Sequence, residues 1–135
     1  MRKPQPPRPL DAISIVVPAF NESRRIGSTL RRISEYGRDH FGRFEVLVVD
    51  DGSTDDTAEV ARSCADDTNH LRVLSNPGNR GKGYSVRTGA LAAIHPYVLL
   101  SDADLSTPIE EVERLAEMAS PSAIVIASRG LPDSR

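Results

Sequence analysis

The chain has 135 residues, of which 39% are hydrophobic and 27% are charged, and this composition predicts one globular domain with its own core. The net charge of −2 gives no overall indication of nucleic-acid binding. No apolar run approaches the roughly 18 residues of a membrane span, and no signal peptide is visible. Cys64 is the only cysteine, which excludes an intrachain disulfide and a cysteine-based zinc site and suits a reducing compartment.

The residues 1–11 form a proline-rich segment that we expect to be a disordered lead-in, and the residues 12–135 form the predicted domain. The β-branched run from Ile13 to Val17 is typical of a strand covered on both faces. Asn21 is then the predicted N-cap of a helix that closes at Tyr36-Gly37.

Five arginines make this first helical region basic: Arg24, Arg25, Arg31, Arg32 and Arg38. One interpretation is an ordinary solvated helix face. The other is attraction to anionic lipid headgroups. The sequence leaves both interpretations open.

The second strand is predicted from Phe44 to Val49. After it, Ser53 and Asp56 resemble a capping pair for a helix that runs to about Ala65. The segment from Leu71 to Leu74 predicts a short third strand.

A third helix is predicted from about Lys82 to Ile94. Its apolar face is formed by Val86, Ala90, Ala93 and Ile94. Gly89 lies on the same face, where it would allow the helix to pack closely on the sheet.

The fourth strand is predicted from Tyr97 to Leu100 and the fifth from Ala123 to Ala127. Between them lies a helix to about Ala119 with a full set of start signals: Thr107 as N-cap, Pro108 at the first helical position and Glu110 as capping-box partner.

Strands and helices thus alternate along the chain, which predicts an α/β fold with a mainly parallel sheet and helices on both faces. Ligands of such sheets bind at the carboxyl ends of the strands. Four of these ends carry chemically useful groups: Pro18 to Glu22, Asp50-Asp51, Asp102 to Asp104, and Ser128-Arg129. We expect them to meet at one edge of the sheet.

Asp102 and Asp104 offer hard oxygen ligands two residues apart, and alternate side chains at the end of a strand share a face. Such ligands suit Mg²⁺ or Mn²⁺ that bridges to phosphate oxygens. The alternative is a polar strand-to-helix turn, where aspartate is common. Asp50 is placed to accept hydrogen bonds from a base or ribose, whereas Asp51 is expected to shape the turn before Ser53.

The loop from Asn79 to Gly83 matches neither the dinucleotide-binding fingerprint nor the P-loop, because its glycines are wrongly spaced for both. Arg80 and Lys82 nevertheless bring two cations to the start of a helix, next to the flexible backbone of Gly81. That combination suits anion binding. A solvated basic loop is the alternative.

Four motifs in this order resemble the family 2 glycosyltransferases, which have the nucleotide-sugar-binding GT-A fold: Val16 to Glu22, Val48 to Asp55, Asn79 to Gly83, and Asp102 to Asp104. Within that family, Arg80 to Gly83, Asp102 to Pro108 and Ser128-Arg129 are similar to the polyprenyl-phosphate hexose synthases, above all those that act on dolichyl phosphate.

The resemblance implies a role for each matching residue. The nucleotide-sugar-binding residues would be Pro18, Ala19, Phe20, Glu22, Asp50, Asp51, Arg80, Gly81, Lys82 and Asp102. Asp102 and Asp104 would be the catalytic residues and the ligands of Mg²⁺ or Mn²⁺ on the diphosphate, with Asp104 the principal ligand. Arg129 would lie near the phosphate of the acceptor.

The implied activity is a metal-dependent, inverting transfer of a hexose from UDP-glucose or GDP-mannose to a polyprenyl or dolichyl phosphate. A lipid phosphate is already anionic and needs no general base, whereas a hydroxyl acceptor would need a carboxylate base. The resemblance also implies a cytoplasmic protein at the inner face of a membrane.

The catalytic domain of this family continues beyond the position of Arg135. We therefore expect a donor-binding half, incomplete at its C-terminus, that binds nucleotide weakly and catalyses poorly or not at all. Two other functions stay open. One is transfer to a saccharide hydroxyl, and the other is a non-catalytic nucleotide-binding fragment whose open sheet edges lead to a homo-oligomer.

Overall fold

The computed structural model of the chain describes residues 11–66, 70–104, 109 and 124–126. In this part the elements are β1 (Ala12–Ala19), α1 (Ile26–His40), β2 (Arg43–Asp50), α2 (Thr57–Asp66), β3 (Leu71–Ser75), α3 (Lys82–Ala92), β4 (Tyr97–Leu100) and β5 (Ile124–Ile126). The predicted lead-in is described only at Asp11, and the predicted helix after β4 lies outside the described residues except at Ile109. No helix within the described ranges has the length and apolar character needed to cross a bilayer.

The five strands form one sheet in the order β3-β2-β1-β4-β5, and each pairing is parallel. This arrangement confirms the predicted α/β fold. β1 is central, and its residues Ile15, Val16 and Val17 are completely buried. In the register of the sheet Ala19 lies beside Asp50, so β1 and β2 end together at the carboxyl edge.

Helices cover both faces of the sheet. On one face, β1 packs with an apolar stripe of α1 that includes Ile26 and Leu30. On the other face, Val16 packs with Val86 of α3. Gly89 of α3 lies so close to the sheet that a Cβ built there would be 2.3 Å from Val16 Cγ1. The predicted close packing at Gly89 is confirmed.

The first helix begins and ends later than predicted. Asn21 is not its N-cap, because Asn21 has a φ of 52° and its Oδ1 accepts a hydrogen bond from Thr54 N–H at 2.9 Å. The helix begins at Ile26. Gly37 does not end it but lies inside it, where a Cβ would come within 2.6 Å of the Phe44 ring. Glycine is therefore required at this position for packing and not for termination.

The predicted capping pair of the second helix is also wrong. Ser53 lies four residues before the first residue of the helix, and its hydroxyl accepts a hydrogen bond from Asn21 N–H at 2.9 Å. The helix begins at Thr57, whose N–H donates to Asp55 Oδ1 at 3.0 Å. The side chains of this turn thus serve a contact between two loops as well as the start of α2.

The third helix ends at Ala92, and Ile94 is 71% exposed instead of lying on the apolar face of the helix. The backbone of Ile94 has another role, because its N–H donates to Glu45 Oε2 at 2.7 Å. The prediction that placed the Ile94 side chain in the core is therefore wrong.

Glu45 is a buried carboxylate close to the amino-terminal end of β2. Ser14 Oγ donates to its Oε2 at 2.6 Å, and Arg72 Nη2 donates to its Oε1 at 3.0 Å. Burial raises the pKa of Glu45, but the hydrogen bonds from Ser14, Ile94 N–H and Arg72 lower it by more. The pKa of Glu45 therefore lies below its ordinary value, and the charged form stabilises the fold.

We expect Gly89→Ala to lower the free energy of unfolding by about 1–3 kcal/mol, because the added methyl group overpacks against Val16. Alanine is intrinsically a better helix former than glycine by about 1 kcal/mol, so a loss of stability can only come from packing. Urea unfolding followed by circular dichroism is the measurement. Gly83→Ala is the matched control in the same helix, because a Cβ there has no heavy atom within 4 Å. Equal losses in both variants would contradict this account.

The stability contributed by Glu45 is complete above its ordinary pKa of 4.5 and is lost as the pH falls through its lower value in the folded protein. We therefore expect Glu45→Gln to cost about 1–3 kcal/mol at neutral pH and to flatten the fall in stability on acidification. Urea midpoints between neutral and acidic pH test this. Glu35→Gln, on the exposed face of α1, is the control with little expected effect. An unchanged pH profile in Glu45→Gln would show that the carboxylate makes no net contribution.

Candidate active site

A cavity of about 260 Å³ lies where β1 and β4 end. Its walls are formed by Pro18, Ala19, Phe20, Glu22, Asp51, Lys82, Ser85, Asp102, Ala103 and Asp104. Eight of the predicted site residues are therefore brought together in one cavity. Asp50, Arg80 and Gly81 belong to the segments around Asp51 and do not line it, and Arg129 lies outside the described residues.

The end of β4 delivers two aspartates to this cavity. Beyond the last paired residue of β4, Ser101 N–H still donates to Val16 O at 3.0 Å, which holds the chain against β1. Ala103 is buried, and its carbonyl accepts a hydrogen bond from the Thr29 hydroxyl of α1. Asp102 and Asp104, on either side of Ala103, both line the cavity. That their side chains share one face stays a prediction.

Each aspartate lies beside a cation. Lys82 Nζ is 3.0 Å from Asp102 Oδ1, and Arg25 Nη1 is 3.7 Å from Asp104 Oδ2. Arg25 also lies 3.9 Å from Glu22 Oε2. The side chains of Lys82 and Arg25 are more than half exposed, so these contacts are weak and open to exchange.

The two aspartates fit a divalent metal that is shared with a phosphate ligand. Asp102 and Asp104 keep 22% and 34% of their side-chain surfaces exposed, so their oxygens are accessible from the cavity. Within the described part of the chain, no cluster of three or more His, Cys, Asp or Glu residues could hold an ion alone. Mg²⁺ and similar hard cations are commonly held by one or two carboxylates together with substrate phosphates, and this donor set has that composition.

Asp51 holds the loop between β3 and α3. Its Oδ1 accepts from Arg80 N–H at 2.7 Å, and its Oδ2 accepts from Gly81 N–H at 2.9 Å. Burial raises the pKa of Asp51, but the bonds from Arg80 N–H, the Asn76 amide and Gly81 N–H outweigh burial and lower it. The carboxylate therefore stays charged.

This geometry corrects two expectations. Asp51 does not shape the turn before Ser53, because it is Asp50 Oδ1 that accepts the hydrogen bond from Ser53 N–H, at 3.3 Å. The loop amides of Arg80 and Gly81 do bind an anion, but that anion is the carboxylate of Asp51. Cationic contact with a ligand in the cavity is left to the side chain of Lys82.

Sequence reasoning missed three residues of the site. Asn76 is buried, and its Nδ2 donates to Asp51 Oδ1 at 2.9 Å and to Ser85 Oγ at 2.8 Å, while its Oδ1 accepts from Thr88 Oγ1 at 3.1 Å. Ser85 lines the cavity, and Arg25 pairs with Asp104. The position of Asn76 directly after β3 was an available signal, since the other site residues also follow strands.

A comparison with known protein families matches residues 14–133 to Glycosyl transferase family 2. Dolichyl-phosphate beta-glucosyltransferase ALG5C of Trichomonas vaginalis is 38% identical over 130 residues, which cover 86% of this chain and 38% of that protein. Undecaprenyl-phosphate 4-deoxy-4-formamido-L-arabinose transferase of Pseudomonas fluorescens is 33% identical over 124 residues, which cover 90% of this chain and 36% of that protein. The chain spans less than half the length of these curated relatives.

Solved structures agree with this assignment. The mannosyltransferase PcManGT from Pyrobaculum calidifontis, in complex with GDP-Man and Mn²⁺, matches with a TM-score of 0.65 and 31% identity over 75% of this chain and 30% of that one. Glucosyl-3-phosphoglycerate synthase from Mycobacterium tuberculosis, in complex with Mn²⁺ and UDP, matches with a TM-score of 0.61 and 31% identity over 78% of this chain and 38% of that one. The expected GT-A fold is confirmed, and the chain belongs to glycosyl transferase family 2.

Proposed function

We propose that this chain supplies the donor-binding site of an inverting glycosyltransferase, which moves a hexose from a nucleotide sugar to a polyprenyl phosphate. The observation that carries the proposal is the pair of Asp102 and Asp104 in one cavity with the cation Lys82. Carboxylates for a metal and a cation for phosphate oxygens are what a nucleoside diphosphate requires.

The nucleoside would occupy the side of the cavity formed by the end of β1. Pro18, Ala19 and Phe20 provide an apolar wall there, and Phe20 keeps 42% of its surface exposed. An exposed aromatic ring beside a cavity suits stacking with a base. Glu22 adds an acceptor for hydroxyl groups. We propose UDP-glucose or GDP-mannose as the donor, and the base would be distinguished in this region.

The diphosphate would lie between Lys82 and the two aspartates. Asp104 and Asp102 would hold Mg²⁺ or Mn²⁺ there, and a bound divalent ion would offset the negative charge that develops on the leaving diphosphate. Lys82, at 3.0 Å from Asp102, is within reach of the same phosphates. Two of the solved relatives contain Mn²⁺ together with a nucleotide or nucleotide sugar, which supports this placement.

The acceptor is proposed to be a polyprenyl phosphate, because relatives are named as dolichyl-phosphate and undecaprenyl-phosphate transferases. A phosphate oxygen of the acceptor would bond to the anomeric carbon while the bond from that carbon to the diphosphate breaks, with inversion at the carbon. The acceptor is already anionic, so no side chain has to remove a proton. Arg129 as a contact of the acceptor phosphate stays a prediction. The proposed location is the cytoplasmic face of a membrane.

Calorimetric titration with UDP-glucose and with GDP-mannose, each with and without Mn²⁺, tests the donor site. We expect binding of one donor that depends on Mn²⁺ and falls about tenfold or more in Asp104→Asn, since a charged ligand is lost. Asp39→Asn removes an exposed carboxylate from α1 and is the matched control with unchanged affinity. Metal-independent binding, or equal affinities in the two variants, would rule out the metal-linked site.

Asp51→Asn tests the loop that presents Lys82. The amide of asparagine has one acceptor oxygen in place of two, so one of the N–H groups of Arg80 and Gly81 loses its partner. We expect roughly tenfold weaker nucleotide binding, while the protein stays folded. Calorimetry measures the affinity, and circular dichroism checks the fold. Full affinity in Asp51→Asn would show that the loop holds its position without the carboxylate.

A further inference from the structure

The exposed side of α1 and of the turn before it carries four arginines that the candidate site does not use, next to Arg25, which pairs with Asp104. We call it the α1 arginine face, and it consists of the exposed residues Arg24, Arg25, Arg31, Arg32 and Arg38. Between residues 24 and 40, the acidic residues are Glu35 and Asp39. Residues 24–40 therefore carry a formal charge of +3, whereas the whole chain carries −2, so the remainder of the chain carries −5.

The arginines repeat with the period of the helix. Arg25 and Arg32 are seven residues apart, as are Arg31 and Arg38, so each pair lies on one side of α1 with about 10 Å between its members along the axis. The face extends about 20 Å along α1. It begins at the cavity, where Arg25 is 3.7 Å from Asp104.

Part of the face borders a groove of about 300 Å³ whose lining is both polar and apolar: Leu30, Arg31, Ser34, Glu35, Arg38, Cys64 and Leu71. Arg31 and Arg38 bring two cations to this lining and Glu35 brings one carboxylate, so the groove is cationic on balance. Guanidinium groups also bind phosphate oxygens in two-point contacts.

We propose that the α1 arginine face binds the surface of an anionic lipid bilayer and so holds the cavity next to a membrane-borne acceptor. The choice of a membrane rests on the proposed function, because the acceptor of that reaction is a lipid phosphate. Charge complementarity supports the choice, since each arginine close to an anionic leaflet adds to the attraction. The attraction acts over about one Debye length and is weakened by salt.

Vesicle sedimentation with the full chain tests the proposal. The probes are phosphatidylcholine vesicles with and without about 30% phosphatidylserine. We expect binding only to the anionic vesicles and its loss at high salt. The variant R31Q/R38Q should bind them about tenfold more weakly. R43Q/R87Q removes two exposed arginines that lie off α1, and it is the control with a change of less than about twofold.

Equal binding to uncharged vesicles, no binding to anionic ones, or equal losses in both variants would overturn the proposal. Tighter binding to a short DNA duplex than to anionic vesicles at equal phosphate concentration would also overturn it. R31Q/R38Q should keep its affinity for nucleotide and its circular dichroism spectrum. Failure of the membrane proposal is thus distinguishable from failure of the donor site, which would appear as absent nucleotide binding in the parent chain.

Discussion

The carboxylate of Asp51 joins two segments of the chain, and the geometry of the cavity depends on this contact. Asp51 follows β2, and it binds the backbone N–H groups of Arg80 and Gly81 just before α3 begins. Lys82 is the first residue of α3 and reaches Asp102 at the end of β4. One buried carboxylate thus links the end of β2 to the start of α3 and, through Lys82, to the end of β4.

Balanced charge is the second constraint on the site. Asp102 and Asp104 lie in the same partly buried cavity, where two unneutralised carboxylates would repel each other. Lys82 and Arg25 offset this repulsion through contacts at 3.0 and 3.7 Å. In the proposed function, Lys82 stays within reach of the diphosphate once a metal lies on the carboxylates. Donor binding would therefore give Lys82 a new ionic partner in place of Asp102.

Most of the fold follows from local patterns in the sequence. Apolar runs of β-branched residues predicted the strands, and the parallel topology brought Pro18 to Glu22 and Asp102 to Asp104 to one edge. The predictions failed where a side chain serves a distant loop. Asparagine is a common N-cap residue, but the Asn21 side chain bonds to Thr54 instead. Aspartate is common in turns, but the hydrogen-bond partners of Asp51 are Arg80 and Gly81, about thirty residues away in the sequence.

These long-range contacts leave no periodic signal, because they depend on how two loops meet in space. Arg25 illustrates the same limit, since its pairing with Asp104 requires the turn before α1 to approach the end of β4. Gly37 illustrates a different limit of prediction from the sequence. A glycine near the end of a helical pattern usually indicates termination, but here the Phe44 ring occupies the space of a Cβ. Packing between elements decided the outcome at this position.

The central claim is that Asp102 and Asp104 hold a divalent metal together with a nucleotide sugar. Paramagnetic broadening by Mn²⁺ in amide NMR spectra of the isotope-labelled chain tests it most directly, because broadening marks the residues nearest the ion. With UDP-glucose or GDP-mannose present, we expect the signals of residues 102–104 and 20–22 to broaden first. Without nucleotide, we expect much weaker broadening at these residues. Broadening centred elsewhere, or independent of nucleotide, would contradict it.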